Sequence, residues 1–94
     1  MARKCVLVDD IEHCVECGRE RVAMHHIFFG TDNRKLSDED GYVIPMCHYH
    51  HNGSNAAIHF NRELDLKWKR IAQLHYEHDH SRKEFIDRYG RSYL

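Results

Sequence analysis

Cys14 and Cys17 stand three positions apart in Cys14-Val15-Glu16-Cys17-Gly18, and Cys47 and His50 repeat that spacing further along the chain. Two thiolates spaced this way sit on one tight turn and reach a single ion at about 2.3 Å. A second half with one imidazole completes a Cys3His tetrahedral set, the closed arrangement taken by structural zinc. His48, His50 and His51 all lie within reach of Cys47, and equality of spacing favours His50. A redox reading of Cys14-x-x-Cys17 wants a βαβ context that this chain lacks. Cys5 lies apart from both pairs and reads as a buried free thiol. The remaining chemistry is in imidazole. The chain carries 10 His in 94 residues, among them the adjacent pairs His25-His26 and His50-His51. His25-His26 sits inside an apolar run, where neighbours on a strand point to opposite faces, so the two rings have different tasks.

The elements that position these residues can be read from patterning. Residues 3–8 are rich in β-branched types and are expected to form a short strand, and residues 12–20 a knuckle around Cys14 and Cys17. Residues 22–29 read as a buried strand ended by Gly30, residues 31–41 as a polar loop with Asp40-Gly41 turn chemistry, and residues 42–46 as a second strand. Pro45 places that strand at an edge or a strand end. Leu64, Trp68, Ile71, Ala72 and His75 mark one face of a helix, with Asn61 as its N-cap and Glu63–Lys67 as an i,i+4 pair. A second helix begins at Ser81, where Ser81 and Glu84 fit a capping box; Phe85, Ile86 and Tyr89 form its apolar side and Gly90 its stop. The expectation is one α+β domain over 1–94, with knuckles and core in 12–60 and two C-terminal helices in 61–90.

Composition narrows the classes. A chain this short has a thin core and gains from a metal staple. Lys+Arg total 14 against 15 Asp+Glu, a net charge of −1, which neither points to a nucleic acid nor excludes one. No apolar run approaches the roughly 20 residues of a membrane helix, and no signal-peptide core follows the basic start. A cytoplasmic location with reduced thiols is therefore expected, with no membrane partner, and four Cys beside many His favour metal over disulfides.

Taken together, Cys14-x2-Cys17, His25-His26-Ile27 and Cys47-x2-His50-His51 resemble the HNH endonucleases, the ββα-metal or His-Me finger nucleases, in the small phage and bacterial version with zinc knuckles. The likeness extends through Arg34-Lys35-Leu36-Ser37, Gly41 to Cys47, Ile58-His59-Phe60-Asn61 and the ending Gly90-Arg91-Ser92-Tyr93-Leu94, and covers residues 12–94. It implies a zinc-stapled, treble-clef-like ββα-metal fold and metal-dependent hydrolysis of DNA, in a bacterial or phage-infected cell. His26 matches the general base that deprotonates the attacking water. His25 and His51 match ligands of the catalytic divalent metal (Mg²⁺, Mn²⁺ or another), and His59 completes that shell or contacts phosphate. Cys14, Cys17, Cys47 and His50 match the structural zinc site. The family's central Asn, which orients the base, falls at Tyr42 here, and Asn33, Asp38 and Asp40 are the residues that can replace it.

A neutral imidazole is a suitable base near pH 7, and a two-His metal keeps positions open for phosphate oxygens. Contacts to DNA are expected from Arg34 and Lys35 between the strands and from Arg62, Lys67, Lys69 and Arg70 on the long helix, which position phosphate without reading sequence. The partner is DNA, with a homodimer or a larger phage or host complex as a further assembly. The competing reading is a zinc module that binds DNA or protein without cutting. A zinc hydrolase of another type lacks a His-Glu-x-x-His helix. His75, His78 and His80, with Glu77 and Asp79, read as a solvated turn in preference to a third metal site.

Overall fold

The computed structural model describes residues 5–30, 32–51, 53–54 and 57–94. The chain is α+β: β1 (Val22–His26), α1 (Asn33–Asp40), β2 (Val43–Cys47), α2 (His48–His51), α3 (Arg62–Glu77) and α4 (Arg82–Tyr89). β1 and β2 pair antiparallel, with Val22 opposite Cys47, Met24 opposite Pro45 and His26 opposite Val43. A two-stranded sheet has only edges, which is how Pro45 is accommodated inside β2. The Pro45 carbonyl accepts from the Val15 N–H at 3.0 Å, so the Cys14–Cys17 segment is held along the β2 edge.

Three expectations for the first half need correction. Residues 1–4 lie outside the described residues, and residues 5–8 form no strand; Val6 N–H donates to the Gly41 carbonyl and the Cys5 thiol to the Val43 carbonyl, laying this segment beside the start of β2. β1 ends at His26, not at residue 29. Phe28 leaves the sheet and drives into a ring cluster with Tyr89 (4.3 Å between centroids), Phe85 (5.5 Å) and Tyr93 (5.7 Å). Most of the expected 31–41 loop is instead the helix α1. Its residues are polar because, apart from Leu36, its inward contacts are made by polar groups, the Ser37 hydroxyl and the side chains of Asn33 and Asp40, and Arg, Lys, Leu and Glu have good intrinsic helix propensity. Gly41 does supply the turn chemistry, ending α1 with φ +79°.

Ser37 shows what α1 is for. Its hydroxyl is fully buried, donates to the Tyr42 carbonyl at 2.5 Å and accepts from the Phe28 N–H at 3.3 Å, tying the exit of β1 to the entry of β2. Ser37→Ala leaves a buried donor without its partner and is expected to cost about 1–3 kcal/mol. Urea melts should show a lower midpoint at unchanged slope; an unchanged midpoint would show that the hydroxyl carries no weight.

α3 and α4 close the core as the periodicity predicts. Asn61 accepts from the Leu64 N–H, Ser81 and Glu84 form the capping box, and Gly90 ends α4. Trp68 and Ala72 are buried with Phe85 and Tyr89, and Leu64 and Ile71 pack against them. Lys67 is engaged away from Glu63: its ammonium meets Glu16 at 3.0 Å, and the Trp68 indole N–H donates to the same carboxylate. His75, placed on the buried face by spacing, is exposed. Among the described residues no helix is long and apolar enough to cross a membrane.

Candidate metal centres

Two clusters capable of holding a metal ion form among the described residues: Cys14, Cys17, Cys47 and His50, and His25, His51 and His59. In each, the donor atoms lie within 4.8 Å of one another. α2 divides them. Successive residues on a helical turn are rotated by about 100°, so His50 turns to the thiols and His51 to the other histidines.

The first cluster gathers three short elements. The knuckle turns tightly, with Gly18 N–H donating to the Cys14 carbonyl at 2.8 Å. Cys47 ends β2, with its Sγ 3.6 Å from Cys17 Sγ and 3.4 Å from His50 Nδ1, while Cys14 Sγ lies 3.8 Å from the same nitrogen. Burial pushes the Cys47 thiol up, but hydrogen bonds from the His50 backbone and ring, and from Cys17 and Cys14, outweigh it and bring the thiol down to about 6. A thiolate is the form that binds metal. His48, the alternative ligand, stands outside the cluster and is exposed. Its carbonyl accepts from Gly53 N–H at 2.7 Å, an approach at which any Cβ on residue 53 would sit 2.5 Å from the His48 ring.

The second cluster is built by β1 and by the return of the chain after α2. Ile58 N–H donates to the His50 carbonyl and His59 N–H to the His51 carbonyl, which bring His59 Nε2 to 3.1 Å from His51 Nε2. The His25 ring stands 5.4 Å from His51 and 5.0 Å from His59, centroid to centroid. His25 Nε2 is buried with no hydrogen-bond partner. Burial, reinforced by the neighbouring His59 and His51, pushes His25 down to about 3, and burial also lowers His51. An orphaned lone pair on a ring held neutral, facing two further imidazoles, fits a cation.

His26 lines the same 220 Å³ cavity as His25, His51, His59, Phe29 and Arg34. Its Nε2 lies 3.4 Å from Asp38 Oδ1. Asp38 is thus the candidate that the fold brings to His26. Asn33 donates to the Tyr89 carbonyl, and Asp40 receives Arg88 at 2.7 Å and the Tyr89 hydroxyl at 2.6 Å, so both fasten α1 to α4. Tyr42 is buried, its hydroxyl 3.0 Å from His75 Nδ1.

The chain matches no family model, no curated protein and no solved structure.

The basic residues expected to meet DNA are scattered in role. Arg34 and Lys35 are exposed on α1, and Arg34 reaches the histidine cavity. Arg62 is exposed beside it. Lys69 corrects the reading of the long helix: it is buried, paired with Asp65 at 2.8 Å, its ammonium 4.2 Å from the centre of the Phe29 ring. Arg70 donates to the Tyr93 carbonyl, and Lys67 is held by Glu16. His75, His78, His80, Glu77 and Asp79 form no third cluster; His78 faces Asp79, and His80 stacks on Tyr76. Sequence reasoning missed Arg21 and Phe60, which line the hollows that share residues with the histidine cavity. Arg21 carries a detectable signal only in three dimensions, a backbone φ of +61° unusual for a residue with a side chain.

Proposed function

We propose that this chain is a metal-dependent HNH-type endonuclease that hydrolyses DNA phosphodiester bonds. The observation that carries the reading is the convergence of His25, His51 and His59 on one cavity with His26 beside them and Asp38 behind it. β1, β2 and α2 then correspond to the ββα-metal unit. The ion at Cys14, Cys17, Cys47 and His50 is structural zinc, since that donor set is closed and sulfur-rich. His25, His51 and His59 would hold the catalytic ion, Mg²⁺, Mn²⁺ or a softer metal suited to imidazole. A divalent ion held there supplies neutralisation of the charge that builds on the phosphate and on the departing 3′ oxygen.

The chain's own contribution is proton handling and placement. A neutral His26 ring with its proton on Nε2 directs that proton at Asp38 and has its lone pair on Nδ1, the atom that takes the proton of the attacking water. The water oxygen bonds to phosphorus, the P–O3′ bond breaks, and the 3′ oxygen takes a proton from solvent. The imidazolium so formed faces the Asp38 carboxylate. Arg34, at the cavity mouth, meets phosphate. A module that only binds has no use for an imidazole set against a carboxylate at the side of a three-His cluster, which favours the enzyme over the binding module.

The test is nicking of supercoiled plasmid with and without added Mg²⁺, Mn²⁺ or Co²⁺. Wild type is expected to nick only with the ion present. His59→Ala should abolish nicking and lower the number of Co²⁺ ions bound per chain by one, with the thiolate-to-Co²⁺ absorption of the other cluster unchanged. Failure of wild type to nick with any of these ions would overturn the proposal.

A further inference from the structure

The histidine cavity has lining residues in common with two other hollows. It shares His51 with a 460 Å³ hollow bordered by Arg21 and His48, and it shares Phe29 and His59 with a 260 Å³ hollow bordered by Phe60, Arg62 and Asp65, whose carboxylate is taken up by Lys69. Each of the three is bordered by one exposed guanidinium, Arg21, Arg34 and Arg62. Among the described residues none of the three has a carboxylate partner within ion-pair distance, whereas Arg82 and Arg88 are both paired. Unpaired positive charges around adjoining hollows complement a polyanionic strand.

The Arg62 hollow differs from the Arg21 hollow in being lined by two exposed phenylalanine rings. Phe60 is 67% exposed, the most exposed of the large apolar residues, and has no ring contact among the described residues. Phe29 is 46% exposed, and one face of its ring is covered by the Lys69 ammonium. Neither contributes to the core around Phe28 and Phe85. Exposed rings beside a cationic groove are the components with which proteins hold unstacked bases, because every base offers a face for stacking.

From this we infer that the Phe60 side of the groove takes an unpaired nucleotide of the DNA strand, so that the preferred substrate is single-stranded DNA or a duplex carrying an extruded or unpaired base next to the cleaved bond. The inference rests on the nuclease reading and specifies its substrate. In a fully paired duplex the bases are stacked on one another, and Phe60 then meets only the sugar-phosphate edge.

Two measurements separate this inference from the reading beneath it. The first is fluorescence of a DNA duplex with one unpaired 2-aminopurine, titrated with wild-type protein without added divalent ion. Leaving the base stack for Phe60 should raise the emission of the probe, and Phe60→Ala should abolish the rise and weaken binding at least about fivefold. Leu74→Ala, which removes another exposed apolar side chain outside the three hollows, serves as control and should change neither. The second is nicking with Mn²⁺ of the same duplex with and without the unpaired base, where wild type should prefer the interrupted duplex and Phe60→Ala should lose that preference. Equal cleavage of both duplexes by wild type, without a rise in emission, overturns the inference and leaves the nuclease reading in place. A rise in emission that depends on Phe60 without cleavage of any DNA overturns the nuclease reading and supports the platform. A Phe60→Ala variant that loses only self-association, with probe binding unchanged, assigns the ring to a contact between copies and also overturns the inference.

Discussion

With zinc held at Cys14, Cys17, Cys47 and His50 as proposed, its removal is expected to unfold the whole domain. The four donors come from the knuckle, the end of β2 and α2, so one ion ties together three separate pieces of the chain. A two-stranded sheet is marginal on its own, and a domain this small has a stability of only about 5–15 kcal/mol at best. The free energy of structural zinc binding, about 10–16 kcal/mol in small domains, matches or exceeds that total. Cys47 is buried, and hydrogen bonds from His50 and the neighbouring thiols draw its thiol down to about 6, so the group that meets a cation there is already in the metal-binding form at neutral pH. A strong chelator, or Cys47→Ser, should erase the near-ultraviolet circular dichroism and the cooperative melt, and zinc should restore both to the chelated wild type. Cys5→Ser, whose thiol only donates to the Val43 carbonyl, should shift the melting temperature by no more than a few degrees, as expected for about 1 kcal/mol. A chelated protein that still melts cooperatively near the original temperature would show that the core suffices without the staple.

The thiol cluster was legible in the sequence because its donors betray themselves by spacing, whereas His25, His51 and His59 were reached only through the resemblance. Cys14-x2-Cys17 and Cys47-x2-His50 each form by a local turn, and the bond from the Val15 N–H to the Pro45 carbonyl lays one half beside the other. α3 and α4 were legible for a similar reason, since Asn61, Ser81, Glu84 and Gly90 act on their own backbone neighbourhood. What escaped were features that depend on a tertiary neighbour. α1 has no apolar stripe, because its inward contacts are made by Leu36, by the Ser37 hydroxyl and by Asp40 reaching Arg88 and Tyr89. Lys69 looked like a surface cation because a residue type does not disclose the helix face it occupies; here Asp65 and the rings of Phe29 and Tyr93 receive its ammonium. The same limit applies to the partner of His26: of Asn33, Asp38 and Asp40, only the placement of α1 against β1 shows that Asp38 is the one beside its ring.

That placement leads to the largest effect expected on the proposed reaction. His26→Ala should lower the nicking rate by about 10²- to 10⁴-fold, the range typical of a lost general base. The variant should keep its bound zinc and its melting behaviour, because Cys14, Cys17, Cys47 and His50 are untouched. Asp38 works through His26 and not on the phosphate, so its substitution should cost less: Asp38→Ala about 10- to 100-fold, the range found for groups that orient a reacting or ligating His. Asp38→Asn separates its two contributions. The amide oxygen can still accept from Nε2 and hold the ring, but it lacks the charge that stabilises the imidazolium formed as the water gives up its proton. Asn should therefore retain more activity than Ala and less than Asp. Neither Asp38 variant should further slow the His26→Ala protein, since a positioning residue has nothing to position once the ring is gone. Additive losses in the double variants would mean that Asp38 acts elsewhere, and wild-type rates in His26→Ala would remove the base assignment altogether.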